Sequence, residues 1–266
     1  MRKKKTAVLV VVMIIMGFTV SCGENSESVI IVAGSTSVQP YAEILAEEYA
    51  ALSPDNIIDV QGGGSSAGLQ AVGSGIADIG MSSRSLKDSE KEDLQAVEIA
   101  KDVLVIITHP DNPVKDLTLE NIRDIYTGGV NTWSALGGAG KKIHVVTREE
   151  GSGTRSAFEE LVMDGLRITP EAIVLNFNGA IRQLVANDKN AIGFISIGLL
   201  NDTIYPVSIN GYEATRENIE DGNYNLYRAF LFVTAGEIDG IAKEFIDFAL
   251  SPEGQQILVS EGLIPN

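Results

Sequence analysis

Within its first 85 residues the chain runs three times from a short apolar segment into a turn rich in glycine and hydroxyl side chains. Val29–Ala33 ends in Gly34-Ser35-Thr36-Ser37. Ile57–Gln61 ends in Gly62-Gly63-Gly64-Ser65-Ser66-Ala67-Gly68, and Ala77–Met81 ends in Ser82-Ser83-Arg84-Ser85. Short continuous apolar runs bounded by turn residues read as buried strands. Behind the first turn, Pro40 suits an opening helical turn, and Tyr41, Ile44, Leu45, Ala46, Tyr49 and Leu52 recur with helical spacing. A short helix is expected near Leu69–Gly73. Strand, turn and helix in repeated succession imply an α/β fold with a largely parallel sheet.

The pattern continues downstream. Val103–Thr108, Ile143–Thr147, Ala191–Ile195 and Phe230–Thr234 read as further strands. Thr118 is placed to cap a helix that Gly128-Gly129 ends. Ala157, Phe158, Leu161 and Val162 give another helix its apolar face, and a C-terminal helix is expected near Ile241–Leu250. Tyr41, Tyr126 and Trp133 read as packing residues.

The N-terminus reads as a targeting segment over residues 1–21. Arg2-Lys3-Lys4-Lys5 precedes an apolar stretch, Ala7–Val20, that is too short for a spanning helix. Cys22 follows directly and is the chain's one cysteine, so disulfides are excluded. Thr19-Val20-Ser21-Cys22 resembles the lipobox of bacterial lipoproteins, which implies lipidation at Cys22, a tether over 22–28 and anchoring without spanning. The formal net charge is −16, and the four charges lost with the leader are all basic. The mature chain is therefore more acidic still, which disfavours nucleic acid and anionic lipid as partners.

The chemistry lies in the turns. Gly34–Ser37, Gly64–Gly68 and Gly151-Ser152-Gly153-Thr154 each follow a strand and precede a helix. A helix N-terminus leaves backbone N–H groups without intrahelical partners, and its dipole favours an anion. Hydroxyls of Ser35, Thr36, Ser37, Ser65, Ser152 and Thr154 add donors, and Gly153 lets backbone approach closely. Arg148 stands at a strand end beside the third such turn, where a guanidinium can pair with two oxygens of an oxyanion, and Glu150 is expected to orient it. Arg84 is a second candidate cation. Neither glycine loop is a nucleotide motif, because no Gly-Lys-Ser/Thr occurs and the third glycine of a dinucleotide fingerprint is missing.

In this order the motifs resemble the periplasmic phosphate-binding proteins of phosphate ABC transporters. The likeness covers nearly the whole mature chain, including Leu119–Trp133 and Ala191–Ile195. It implies a type II periplasmic-binding fold, with two α/β lobes around a ligand cleft. Lobe I is expected over 29–105 and 231–266, lobe II over 106–230, and crossover strands near Val103–Thr108 and Phe230–Thr234. The resemblance carries phosphate contacts onto Thr36, Ser65, Arg148, Ser152, Gly153 and Thr154, and the arginine's acidic partner onto Glu150. Ser83 stands where many members have an aspartate that accepts a hydrogen bond from protonated phosphate. With Arg84 beside it, the choice of phosphate over sulfate, molybdate or tungstate is the point at which this chain departs from its relatives.

The implied activity is capture of inorganic phosphate outside the cytoplasm and delivery to permease subunits by a monomeric, lipid-anchored receptor. A binding protein for another tetrahedral oxyanion (sulfate, molybdate or tungstate), or a phosphate sensor or surface protein on the same lobes, is the alternative. An enzyme is disfavoured. His109 and His144 are the only histidines, no metal-ligand spacing occurs, and Ser152 has no evident activating base. No cofactor is expected.

Overall fold

A computed structural model describes residues 28–266. The leader, Cys22 and the tether up to residue 27 lie outside the described residues.

In chain order the elements are β1 (Ser28–Gly34), α1 (Gln39–Leu52), β2 (Asn56–Gly62), α2 (Ser65–Gly73), β3 (Ile79–Ser82), β4 (Gln95–Thr108), β5 (Asp116–Leu117), α3 (Leu119–Thr127), β6 (His144–Arg148), α4 (Gly153–Phe158), β7 (Ile173–Leu175), α5 (Asn178–Asn187), β8 (Ala191–Ser196), β9 (Tyr205–Pro206), β10 (Ser208–Ile209), α6 (Arg216–Glu220), β11 (Tyr227–Thr234), α7 (Gly240–Leu250), α8 (Pro252–Ser260) and β12 (Ile264–Pro265). No helix among the described residues is long and apolar enough to cross a membrane.

The main sheet has the order β2-β1-β3-β11-β4-β8-β6-β7. Each end is parallel within itself, β1 pairing β2 and β3 and β6 pairing β7 and β8, and the two ends run in opposite senses. The middle is antiparallel. β11 pairs both β3 and β4, and β4 pairs β8. This middle departs from a simply parallel reading, because β4 runs on through both ends of the molecule. Its residues Gln95–Val103 pair with β11, and Leu104–Thr108 pair with β8. The strand expected at Val103–Thr108 is thus the second part of a 14-residue strand. The more polar first part, Gln95–Asp102, lacks the continuous apolar run that betrays a buried strand.

The apolar cores divide at the same strands. One cluster draws its buried side chains from Val103 through Leu226, and two others draw theirs from Ile30–Ala100 and Phe230–Leu263. In the first, Phe158 and Phe194 stack with centroids 4.1 Å apart, and Tyr126 lies 4.5 Å from Phe158. The helix foreseen behind Thr118 forms with a full capping box. The Thr118 hydroxyl accepts from Asn121 N–H, the Asn121 amide oxygen accepts from Thr118 N–H, and Gly128 closes the helix at φ 86°. Trp133 is buried, and its Nε1 donates to the Asn190 carbonyl at 3.0 Å.

Phe158 is fully buried between two rings, so Phe158→Ala is expected to lower unfolding free energy by about 3–5 kcal/mol, measured by urea denaturation.

Candidate functional site

The parallel ends of the sheet direct their strand–helix turns at one another across the antiparallel middle. From one side come Ser35–Ser37 ahead of α1, Gly64-Ser65 opening α2, and Ser82-Ser83 after β3. From the other come Arg148–Thr154 between β6 and α4, and Asn176–Asn178 between β7 and α5.

These turns meet in a buried network of hydroxyls. The Ser35 hydroxyl donates to Ser83 Oγ at 2.8 Å. Ser65 Oγ accepts from Ser83 N–H at 3.1 Å and lies 3.4 Å from Ser83 Oγ. The network also crosses the cleft. Ser37 and Thr154 share a hydrogen bond of 2.7 Å between hydroxyls, and the Asn178 amide donates to Ser37 Oγ at 2.7 Å. Backbone joins in, as Ser66 N–H donates to the Gly151 carbonyl at 3.1 Å. Ser35, Ser37, Ser65, Ser83, Ser152, Thr154 and Asn178 are all buried. Buried hydroxyls cost free energy unless bonded, so these bonds tie the two sides together.

Close approach requires glycine at two points. Gly64 has φ 94°, outside the range of most side chains, and this turns Ser65 into the cleft. A Cβ on Gly153 would fall 2.2 Å from Ser65 Oγ and 2.4 Å from Ser83 Oγ. The third turn therefore packs its backbone directly against hydroxyls of the other side.

Arg148, 1% exposed, ends β6 and is the cation of the site. Its Nε and Nη2 donate to both oxygens of Glu149, each at 2.9 Å. Nη2 also donates to the Asn176 carbonyl at 2.9 Å and to Thr36 Oγ1 at 3.2 Å, and Nη1 donates to Asn178 Oδ1 at 3.1 Å. A planar guanidinium with five donors is suited to such a hub. Because Glu149 balances its charge, the remaining attraction for an anion comes from neutral donors and the helix N-termini that face the cleft.

Two expectations are corrected here. Glu150 does not orient Arg148; Glu149 does. Ser152 N–H donates to the Glu149 carbonyl at 3.3 Å, closing a turn with Gly151 at φ 90°, and this leaves Glu150 exposed at its tip. Arg84 points away from the hydroxyls. It pairs with both oxygens of Glu90 at 2.8 Å and donates to the Ser85 carbonyl at 2.9 Å, touching the cleft only through Ser66 Oγ at 3.3 Å. The Arg84 hydrogen bonds hold the Glu90 carboxyl below the usual carboxylate range. Ser152 lies at the site, where its Oγ caps α4 by accepting from Arg155 N–H at 3.3 Å, and a hydroxyl that accepts in this way still carries an O–H to donate.

Asn178 is a site residue that the sequence reading omitted. Phe177-Asn178-Gly179 opens α5 just after a short strand, the same arrangement as the other turns, but it carries an amide in place of hydroxyls. Beside the network a groove of about 670 Å³ is lined by Thr36, Pro40, Glu149, Phe177, Asn178 and Leu199, among others. His144 lies 2.5 Å from Asp188, at the opposite end of β6 from Arg148. His109 accepts from Asp111 N–H at 2.9 Å within its own turn.

Residues 23–253 match the family model described as a PBP superfamily domain. A relative from Bacillus subtilis, strain 168, named phosphate-binding protein PstS, is 30% identical over all of this chain and 95% of its own length. Among solved structures, a candidate phosphate ABC transporter substrate-binding protein from Clostridium perfringens, with bound phosphate, superposes with TM-score 0.87. It is 44% identical, and the match covers 90% of this chain and all of that one. An ABC-type phosphate transport receptor from Vibrio cholerae is 38% identical over the same shares, with TM-score 0.75.

The two neighbouring glutamates separate by stability. Glu149→Ala leaves the buried Arg148 without its carboxylate and is expected to cost roughly 2–4 kcal/mol, less than a fully buried pair because Glu149 is 26% exposed. Glu150→Ala is expected to stay within about 0.5 kcal/mol. Urea denaturation of both variants checks the assignment.

Proposed function

Because the chain belongs to the PBP superfamily and, within it, to the phosphate-binding proteins named PstS, we propose that it captures inorganic phosphate and delivers it to the permease of an ABC transporter. One observation carries this reading. Hydroxyls, an amide and a guanidinium from both sides of the cleft converge within hydrogen-bonding distance at the ends of several helices. A tetrahedral oxyanion needs donors from every direction. The groups that now bond one another, Thr36, Ser37, Ser65, Ser83, Arg148 and Thr154, are the ones it would engage, together with the backbone N–H groups at Gly153 and Thr154.

The site holds its cation as a neutral pair, so selectivity rests on donor geometry more than on net charge. This suits an acidic protein, because screening confines its surface charge to about 8–10 Å. Ser83 both accepts from Ser35 and lies beside Ser65, so it can take a hydrogen bond from a protonated phosphate oxygen.

The cleft divides the chain into lobes over 29–105 with 231–266, and over 106–230. Closure of the lobes around the anion would present a ligand-loaded form to the permease. The basic leader and Cys22 support an extracytoplasmic, lipid-anchored receptor.

Isothermal calorimetry tests the ligand. Phosphate is expected to bind more tightly than sulfate or molybdate at neutral pH, and tighter sulfate binding overturns the assignment. Arg148→Ala is expected to weaken phosphate binding by about 2–5 kcal/mol, on the order of 30-fold or more.

A further inference from the structure

Away from the anion turns, a second buried polar cluster lies where the two sides of the molecule join. Asp102 on β4 and Arg228 on β11 are cross-strand partners. Asp102 Oδ2 accepts from Arg228 Nε at 3.0 Å and from Nη2 at 2.8 Å. Its Oδ1 accepts from the Ser196 hydroxyl, at the end of β8, at 2.6 Å. Asp102 and Ser196 are fully buried. Three paired strands hold these groups, so they form a fixed point about which the rest can move.

Tyr41 reaches this point from α1. Its ring packs 5.6 Å from that of Phe230, its hydroxyl interacts with Ser196, and it is 4% exposed. Just beyond Ser196 the chain makes a short 3₁₀ turn, Ile197–Leu199. A Cβ on Gly198 in that turn would fall 1.8 Å from the Tyr41 hydroxyl oxygen and 3.0 Å from its ring carbon Cζ. Nothing in the Gly198 backbone angle calls for glycine, since its φ lies outside the left-handed range. Space for Tyr41 is the reason a side chain is excluded.

Both partners are wired to the anion turns. Tyr41 lies in the first turn of α1, four residues after Ser37, and a helix moves as one body. The Ile197–Leu199 turn is held to α5 by a hydrogen bond from Arg182 Nη1 to the Leu199 carbonyl at 3.1 Å. α5 is the helix that opens with Asn178, which contacts both Ser37 and Arg148. A rotation that parts Ser37 from Asn178 and Thr154 moves α1 relative to α5, and with them Tyr41 relative to Gly198.

We propose that Tyr41 and Gly198 are positioning residues that latch the closed cleft: their contact forms as the lobes close and sets how long the bound anion is retained. The Asp102–Arg228–Ser196 cluster is the anchor against which Tyr41 seats. The latch rests on the phosphate-capture reading, and the experiment separates the two.

Release of radiolabelled phosphate is followed after a chase with unlabelled phosphate, in wild type, Tyr41→Phe, Gly198→Ala and the double variant. Gly198→Ala is expected to speed release about tenfold or more with little change in association, the usual division for a contact made in the bound state. Ligand-free melting temperature should stay at the wild-type value, because the contact is absent from the open form. Removing the Tyr41 hydroxyl relieves the 1.8 Å clash and leaves the added methyl with a tight ring contact of 3.0 Å, so the double variant should release phosphate more slowly than Gly198→Ala. Wild-type release from Gly198→Ala, absence of rescue in the double variant, or an equal fall in ligand-free melting temperature overturns the latch. A wild-type protein that retains no phosphate overturns the capture reading, and the latch with it.

Discussion

The structure depends on a set of buried hydroxyls that no single side of the molecule can satisfy. Ser37 is the clearest case. It takes one bond from Asn178 and shares another with Thr154, both from across the cleft. A polar group withdrawn from water without partners costs on the order of 1–3 kcal/mol, so the turns must meet closely or stay hydrated. That constraint explains the bare backbone at Gly153, the positive φ at Gly64 and the buried arginine whose bonds reach both sides. It also explains the architecture. Two parallel sheets can aim their helix N-termini at each other only if the strands between them reverse direction, as β11 and β4 do.

Charge is managed in the same economical way. The molecule is strongly acidic, yet among the described residues the two most buried arginine side chains are each matched by a carboxylate, Arg148 by Glu149 and Arg228 by Asp102. Burial alone pushes Asp102 up and Arg228 down, and their mutual attraction opposes both shifts. Arg148 serves the cleft and Arg228 the junction behind it. Arg84, a third, is consumed by Glu90 and steadies the turn that presents Ser83. Placing the one cleft cation inside a neutral pair leaves recognition to oriented dipoles, which favour an anion of the right shape.

Much of this was legible in the sequence, for definite reasons. A continuous apolar run ending in Gly34 marked β1, apolar segments at Ile57–Gln61 and Ala191–Ile195 marked β2 and β8, and Thr118 with Gly128 bounded α3. The Gly/Ser/Thr turns betrayed the site because three of them open helices in one chain and Arg148 adjoins the third. What escaped was the part decided by three-dimensional packing. Adjacent glutamates look alike in a string, and the turn closed by Gly151 decides that Glu149 folds back while Glu150 meets solvent. Arg84 offered a cation beside the site, but Glu90 six residues later claims it through a bidentate pair that spacing does not reveal. Asn178 carries no glycine before it and no hydroxyl, so its turn lacked the signature of the others. The first part of β4 is polar enough to hide a strand whose burial comes from β11 alongside it.

The central claim is that turns from both sides converge on one tetrahedral anion. A crystal structure of the phosphate-loaded protein tests it most directly. The account predicts phosphate oxygens within hydrogen-bonding distance of Thr36, Ser37, Ser65, Ser83, Arg148 and Thr154, with Arg84 still paired to Glu90. Phosphate held by Arg84, or bound at a site contacted from only one side of the cleft, would contradict it.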